Sequence, residues 1–258
     1  MQYVHLSETV NIKKVSETDR EGVFEIDGLY TGYGLTLGNT LRRILLSSLP
    51  GAAITQVKIK GAEHEFSAIP GVKEDILGIT LNLKKIRFAF YASEPQVLNL
   101  RVKGEREVKA SDIEANSQVE IATPDVHIAT LTSKSADFEI ELTVEKGLGY
   151  VPVEARKMGK LPIKTIALDA LFSPVVKVNF DVENMRVGER TDYNRLVLNI
   201  ETDGTISPSS ALHKACSIIK DHISKVDEVE VKEMKKPEAP KEAAKKKTAK
   251  KATAKKKS

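Results

Sequence analysis

Three glycines, Gly32, Gly34 and Gly38, stand close together in the run GYGLTLGN. A glycine-rich turn can lay backbone N–H groups against a phosphate, but the spacing here is G-x-G-x-x-x-G and the Gly-Lys-Ser/Thr of a P-loop is missing. The structural alternative is a tight entry into a helix whose backbone packs closely. The five histidines, His5, His64, His127, His213 and His222, occur singly, without the HExxH spacing or the cysteine partner of a zinc site. No G-x-S-x-G elbow presents a serine nucleophile, and no dense group of aspartates supplies the metal-binding carboxylates of nucleotidyl transfer. Glu74-Asp75 is a lone acidic pair, readable as a solvated turn, as a first-turn helix charge or as metal ligands. The chain by itself shows no active site, so no cofactor, no metal and no small-molecule substrate is expected.

Arg42 and Arg43 are adjacent in an otherwise apolar segment. Neighbours on a helix lie about 100° apart, so the two side chains point in different directions and at least one is free to face a partner. The planar guanidinium fork suits recognition of carboxylates or carbonyls in a buried contact. The alternative is a surface arginine with its stem lying along apolar neighbours.

The elements that must carry these residues follow from periodicity. Leu37, Leu41, Ile44, Leu45, Ser48 and Leu49 recur at three- and four-residue steps between GYG and Pro50-Gly51, which predicts a helix over 37–49. A second helix is predicted to begin at Ser207-Pro208, a capping residue followed by proline at the first helical position. It runs through Leu212, Ala215, Ile219, Ile223 and Val226, and Asp203-Gly204 turns the chain just before it. Each helix either lies on its own sheet or belongs to a dimer interface. Leu46, off the main stripe, gives the first helix more apolar surface than one small sheet requires. Period-two alternation marks half-buried strands at Val57 and Ile59; at Ile140, Leu142 and Val144; at Val176, Val178, Phe180 and Val182; and at Leu196, Leu198 and Ile200. These runs do not alternate regularly with long helices, which predicts an α+β fold with largely antiparallel pairing.

With 258 residues, 41% of them hydrophobic, the chain has enough apolar surface for a real core. Its formal charge of +4 is unevenly placed. Residues 232–258 hold 12 lysines against Glu233, Glu238 and Glu242, a net of +9, leaving residues 1–231 with 28 basic and 33 acidic side chains, a net of −5. A basic nucleic-acid binder is thus excluded for the body. The terminal run has no aromatic or branched aliphatic residue and is predicted to be disordered. Cys216 is the only cysteine, so neither an intrachain disulfide nor a cysteine-based metal site is expected. No run reaches the roughly 20 apolar residues of a membrane span, and MQYVHLSETV lacks the features of a signal peptide, so a cytoplasmic protein without membrane contact is expected.

The run GYGLTLGNTLRRILLSSLPG, Gly32 to Gly51, resembles the signature helix of the amino-terminal domain of bacterial RNA polymerase alpha subunits. HEFSAIPGVKEDILGITLNLK from His64, GLGYVP from Gly147, LPI from Leu161, FSPVVKVNFDVE from Phe172 and RVGERTDYNRLVLNIETDGTISPSSAL from Arg186 are similar to the same family, in order and spacing. The resemblance implies a two-part body. A discontinuous dimerisation domain would cover residues 1–50 and 178–231, and an inserted β-rich domain residues 51–177. Leu41, Ile44, Leu45 and Leu49 of the first helix and Leu212, Ala215, Ile219 and Ile223 of the second would meet a second copy. Gly38, Asn39, Arg43 and Leu46, with His64, Glu65, Glu74 and Asp75, would contact the beta subunit. Phe172, Ser173, Pro174 and Val175, together with Arg190, Thr191 and Asp192, would receive the beta-prime subunit, and Lys84 fits either face.

The function so implied is that of a homodimeric, non-catalytic scaffold for the large subunits, meeting DNA through the complex. Typical members continue into a compact helical domain that binds upstream promoter DNA, whereas here a lysine and alanine run follows the body. Its Lys245, Lys246, Lys247, Lys250, Lys251, Lys255, Lys256 and Lys257 either release counterions from DNA phosphates without reading bases or only keep the chain soluble. A free-standing histone-like protein acting through this run is the competing function, and the acidic body opposes it. An independent hydrolase or kinase lacks the necessary motifs.

Overall fold

The computed structural model describes residues 10–62, 64–114, 116–156 and 164–229. The chain opens with β1 (Asn11–Glu17), β2 (Glu21–Leu29) and helix α1 (Tyr33–Ser47). A β-rich stretch follows: β3 (Pro50–Ile59), α2 (Ile76–Leu83), β4 (Phe88–Phe90), β5 (Gln96–Lys103), β6 (Arg106–Lys109), β7 (Ile113–Glu114), β8 (Val119–Ile121), β9 (His127–Leu131), β10 (Asp137–Leu148), β11 (Tyr150–Val151), β12 (Thr165–Ala167) and β13 (Ala170–Leu171). The long strands β14 (Val175–Val187) and β15 (Arg190–Thr202) and helix α3 (Pro208–Asp227) come last. Strand pairing is antiparallel and the class is α+β, as the alternation predicts.

Two main bodies of buried side chains result. One lies between a four-stranded sheet, order β1-β2-β15-β14, and the helices α1 and α3. In it Phe24 faces Leu198, which faces Phe180, while Ile26 faces Leu196; Val182, opposite Leu196, is 38% exposed at its edge. The other is the core of the β-rich stretch, running from Ala52 to Leu168 around a five-stranded sheet, order β12-β3-β10-β5-β7. In β14 the predicted alternation is corrected at its start. A register irregularity between Val175 and Lys177 leaves Val176 54% exposed and Val175 buried, because one extra residue moves side chains to the other face.

Helix α1 starts four residues earlier than its apolar stripe, and Leu49 lies beyond its end. Gly32 precedes it at φ 86°, a left-handed conformation that suits glycine. Gly34 and Gly38 are inside the helix and press on the sheet. A Cβ at Gly34 would lie 2.8 Å from Val182 Cγ1, and one at Gly38 2.6 Å from Phe180 Cδ2. The glycine spacing is therefore a packing device. Helix α3 begins as predicted, with the Ser207 side chain accepting from the Ser210 amide and Pro208 in the first turn. Its small residues Ala211 and Ala215 are fully buried and let it approach closely.

Helix α2 has no apolar periodicity long enough to predict it. Its sequence ILGITLNL is short and rich in β-branched residues, which favour strands. The signal that identifies it is Asp75, whose carboxylate accepts from the Gly78 amide at 2.7 Å as an N-cap, followed by buried Ile76, Ile79, Thr80 and Leu83 at helical steps.

Candidate interaction surfaces

The adjacent arginines diverge. Arg42 Nε–H donates to the Val178 carbonyl on β14 at 3.2 Å, tying the helix to its sheet. Arg43 is exposed, and its guanidinium makes no hydrogen bond or ion pair with any described residue. Asn39, Arg43 and Leu46 follow one another at four- and three-residue steps and so share one side of α1, the first two exposed and the third half-buried. Gly38 is not part of that side, since it is buried under Phe180 and Leu196.

The remaining residues assigned to the beta subunit divide in the same way. His64 and Glu65 are exposed, with His64 Nδ1 3.2 Å from Ser67 Oγ. Asp75 is occupied as the cap of α2. Glu74 accepts from the Thr130 amide at 2.7 Å and the Thr130 hydroxyl at 3.0 Å, and its carboxylate lies 3.1 Å from His127 Nε2. Burial by itself would push the Glu74 carboxyl up, but the Thr130 amide and His127 outweigh it and hold it below the ordinary value. The other nitrogen of His127 lies 3.0 Å from Glu107. A histidine that is solitary in sequence is thus bridged by two carboxylates, a pairing that only the juxtaposition of β6, β9 and the approach to α2 creates. Among the described residues no group of three His, Cys, Asp or Glu is placed to hold a metal ion.

Of the residues assigned to a second copy, Leu41, Leu45, Leu49 and Ala215 are 0–1% exposed in the single chain. They belong to the chain's own core, because the inner stripe of an amphipathic helix is claimed first by its own sheet. Ile44, Leu212 and Ile219 are half-buried at the margin of that core. Farther along α3, Ile223 and Val226 are 62% and 69% exposed, although they continue the stripe of Leu212 and Ile219. The apolar side of α3 goes on without cover from any described residue.

The residues assigned to beta-prime do not form one surface. Phe172, Ser173, Pro174 and Val175 are all buried, with Ser173 Oγ bonded to the Val175 backbone on both its amide and its carbonyl. Val175 pairs with Thr202 at the open end of the β14–β15 hairpin, whereas Arg190 pairs with Val187 at its tip. Twelve steps of about 3.3 Å put the two groups roughly 40 Å apart along the strands. At the tip, the Arg190 guanidinium sits 5.0 Å from the Tyr30 ring centroid and 5.4 Å from that of Tyr193. It also makes two bonds to Asp192, 2.7 and 3.0 Å long. Those bonds, with one from Thr31, hold the Asp192 carboxyl down at about 2. Thr191 is exposed between them. His5, the LPI segment and the eight lysines assigned to DNA lie outside the described residues. No helix among the described residues is long and apolar enough to cross a membrane.

An antiparallel sheet backed by two helices, interrupted by a β-rich unit and bearing apolar surface beyond its own needs, is the build of a subunit made for assembly. Residues 57–173 match the family described as the RNA polymerase Rpb3/RpoA insert domain. The chain is 47% identical over 226 residues to the DNA-directed RNA polymerase subunit alpha of Symbiobacterium thermophilum, covering 85% of this chain and 71% of that one. It is 47% identical over 215 residues to the same subunit of Alkaliphilus oremlandii (83% and 68%) and 50% over 208 residues to that of a Roseiflexus species (81% and 64%). The chain belongs to the family of DNA-directed RNA polymerase alpha subunits.

Proposed function

We propose that the chain is a homodimeric, non-catalytic scaffold on which the beta and beta-prime subunits of an RNA polymerase assemble. The observation that carries this reading is α3, whose apolar stripe continues past its own core through Ile223 and Val226. Two copies meeting there would cover both stripes, and fully burying one such side chain is worth about 1.5–3 kcal/mol. A dimerisation domain over residues 1–50 and 178–231 and an insert over 51–177 are supported by the two bodies of buried side chains, each gathered from one of these stretches apart from Val175 at the junction. The beta-subunit contact is proposed at Asn39, Arg43 and Leu46, with His64 and Glu65 as exposed companions. The beta-prime contact is proposed at the hairpin tip, Arg190 to Asp192, where the exposed groups lie. Native mass measurement of the purified chain, alone and co-expressed with both large subunits, tests this. A dimer alone and two copies in the assembly are expected; a monomer that captures neither subunit overturns it.

A further inference from the structure

The four-stranded sheet has a second face, turned away from α1 and α3. Its residues follow from the register: Lys13, Glu25, Val197 and Asp181 make one row across the strands, Glu183 lies beside Arg195 in the next, and Glu21, Glu201 and Lys177 form another. Asp27, buried on this face, takes both Lys13 at 3.0 Å and Arg195 at 2.6 Å. Two of the three cations are therefore engaged by a single carboxylate. Glu21, Glu25, Asp181, Glu183 and Glu201 form no ion pair with a described residue. The outer face of the five-stranded sheet is different, for there Lys58 pairs with Glu141 and Lys60 with Asp137 and Glu139, all within 3.1 Å. Among the described residues, the outer face of the four-stranded sheet thus gathers five carboxylates without an ion pair of their own, Glu25 and Glu183 sharing only the field of Arg195, which Asp27 already engages. It also holds a shallow groove of about 140 Å³ lined by Glu21, Glu201, Lys177, Asn179 and Asn199.

We infer that the lysine-rich segment of this same chain, residues 230–258, docks on this acidic face. Residues 232–258 carry a net charge of +9, the complement of the open face. The reach suffices. From residue 229 to Lys245 are 16 residues, up to about 53 Å at roughly 3.3 Å each, against about 20 Å across four strands spaced ~4.8 Å apart. Lysine stems lie along Val23 and Val197 while their ammonium groups meet Glu25, Asp181, Glu183 and Glu201. A polyanion such as DNA is repelled by the same face, so docking and DNA binding compete for one set of lysines.

Zero-length carbodiimide coupling of lysine amines to carboxylates, applied to the full chain and mapped by mass spectrometry, tests this. At low salt the terminal lysines should couple to Glu25, Asp181, Glu183 and Glu201, and these products should vanish on the order of 1 M salt, where the screening length is about 3 Å. A variant carrying Glu25→Gln, Asp181→Asn, Glu183→Gln and Glu201→Gln is read separately, by tryptic cleavage of the lysine run. Its low-salt rate should rise to the high-salt rate of the native chain. Coupling spread over the carboxylates of the five-stranded sheet, no coupling, or coupling only between isotopically distinct copies overturns the inference.

Discussion

The Glu17 carboxylate accepts a hydrogen bond from the Ser209 amide at 2.9 Å, so the end of β1 satisfies a backbone donor in the first turn of α3, 192 residues further on. Lys14, 2.8 Å from the other carboxylate oxygen, and Ser209 together hold the Glu17 carboxyl at about 2, below its ordinary 4.5. A carboxyl whose folded value is depressed contributes stability that is complete above the unfolded value and is lost as pH falls through the folded one. Glu17→Gln should lower the urea midpoint at pH 7 and flatten the loss of stability between about pH 4.5 and 2. An unchanged midpoint and an unchanged acid profile would show the contact to be idle.

Gly38→Ala places a methyl group 2.6 Å from Phe180 Cδ2 and 3.0 Å from Leu196 Cδ1. Overpacking of this kind costs about 1–3 kcal/mol. Chemical denaturation of the variant should show that loss, because the nearest atoms belong to the rigid Phe180 ring and Leu196 is fully buried, with no open space to turn into.

Leu45 and Ile223 occupy helices of similar amphipathic character and should respond in opposite ways. Leu45→Glu buries a charge in the chain's own core and should abolish folding, a loss of several kcal/mol. Ile223→Glu should leave the circular dichroism spectrum intact and shift the sedimentation coefficient from dimer to monomer. A folded dimer of the Ile223 variant would move the interface elsewhere.

Arg43→Ala should preserve the dimer and weaken capture of the beta subunit by about 2 kcal/mol or more, as loss of an interface arginine does. Arg42→Ala should instead cost about 1 kcal/mol of stability, through the lost bond to the Val178 carbonyl, with capture retained. Pull-down with tagged beta subunit and parallel urea melts separate the two; reversed behaviour exchanges the roles.

How much was legible depends on how local the signal is. The alternation of Leu196, Leu198 and Ile200 is a property of one strand, and Ser207-Pro208 carries the chemistry of a helix start within two residues. Both are placed as read. The division of an apolar stripe between own core and partner is not local. Leu45 and Ile223 look alike in sequence, and only their different burial in the fold distinguishes them. Phe172 to Val175 and Arg190 to Asp192 are near neighbours along the chain, yet a hairpin of long strands carries them to opposite ends. His127 gained its two carboxylates from elements that sequence spacing does not connect.

The strand order β1-β2-β15-β14 also sets a timetable for synthesis. Gly32 and Asn194, bonded at 2.8 Å where β2 gives way to α1, are 162 positions apart. At about 5–20 residues per second, a ribosome needs on the order of ten to thirty seconds to make the second after the first. The β-rich stretch is contiguous and can close its core during that interval. The first two strands and α1 must meanwhile wait with Phe24, Ile26 and Leu41 uncovered, so the nascent chain is most exposed to aggregation and to holding chaperones before β15 emerges.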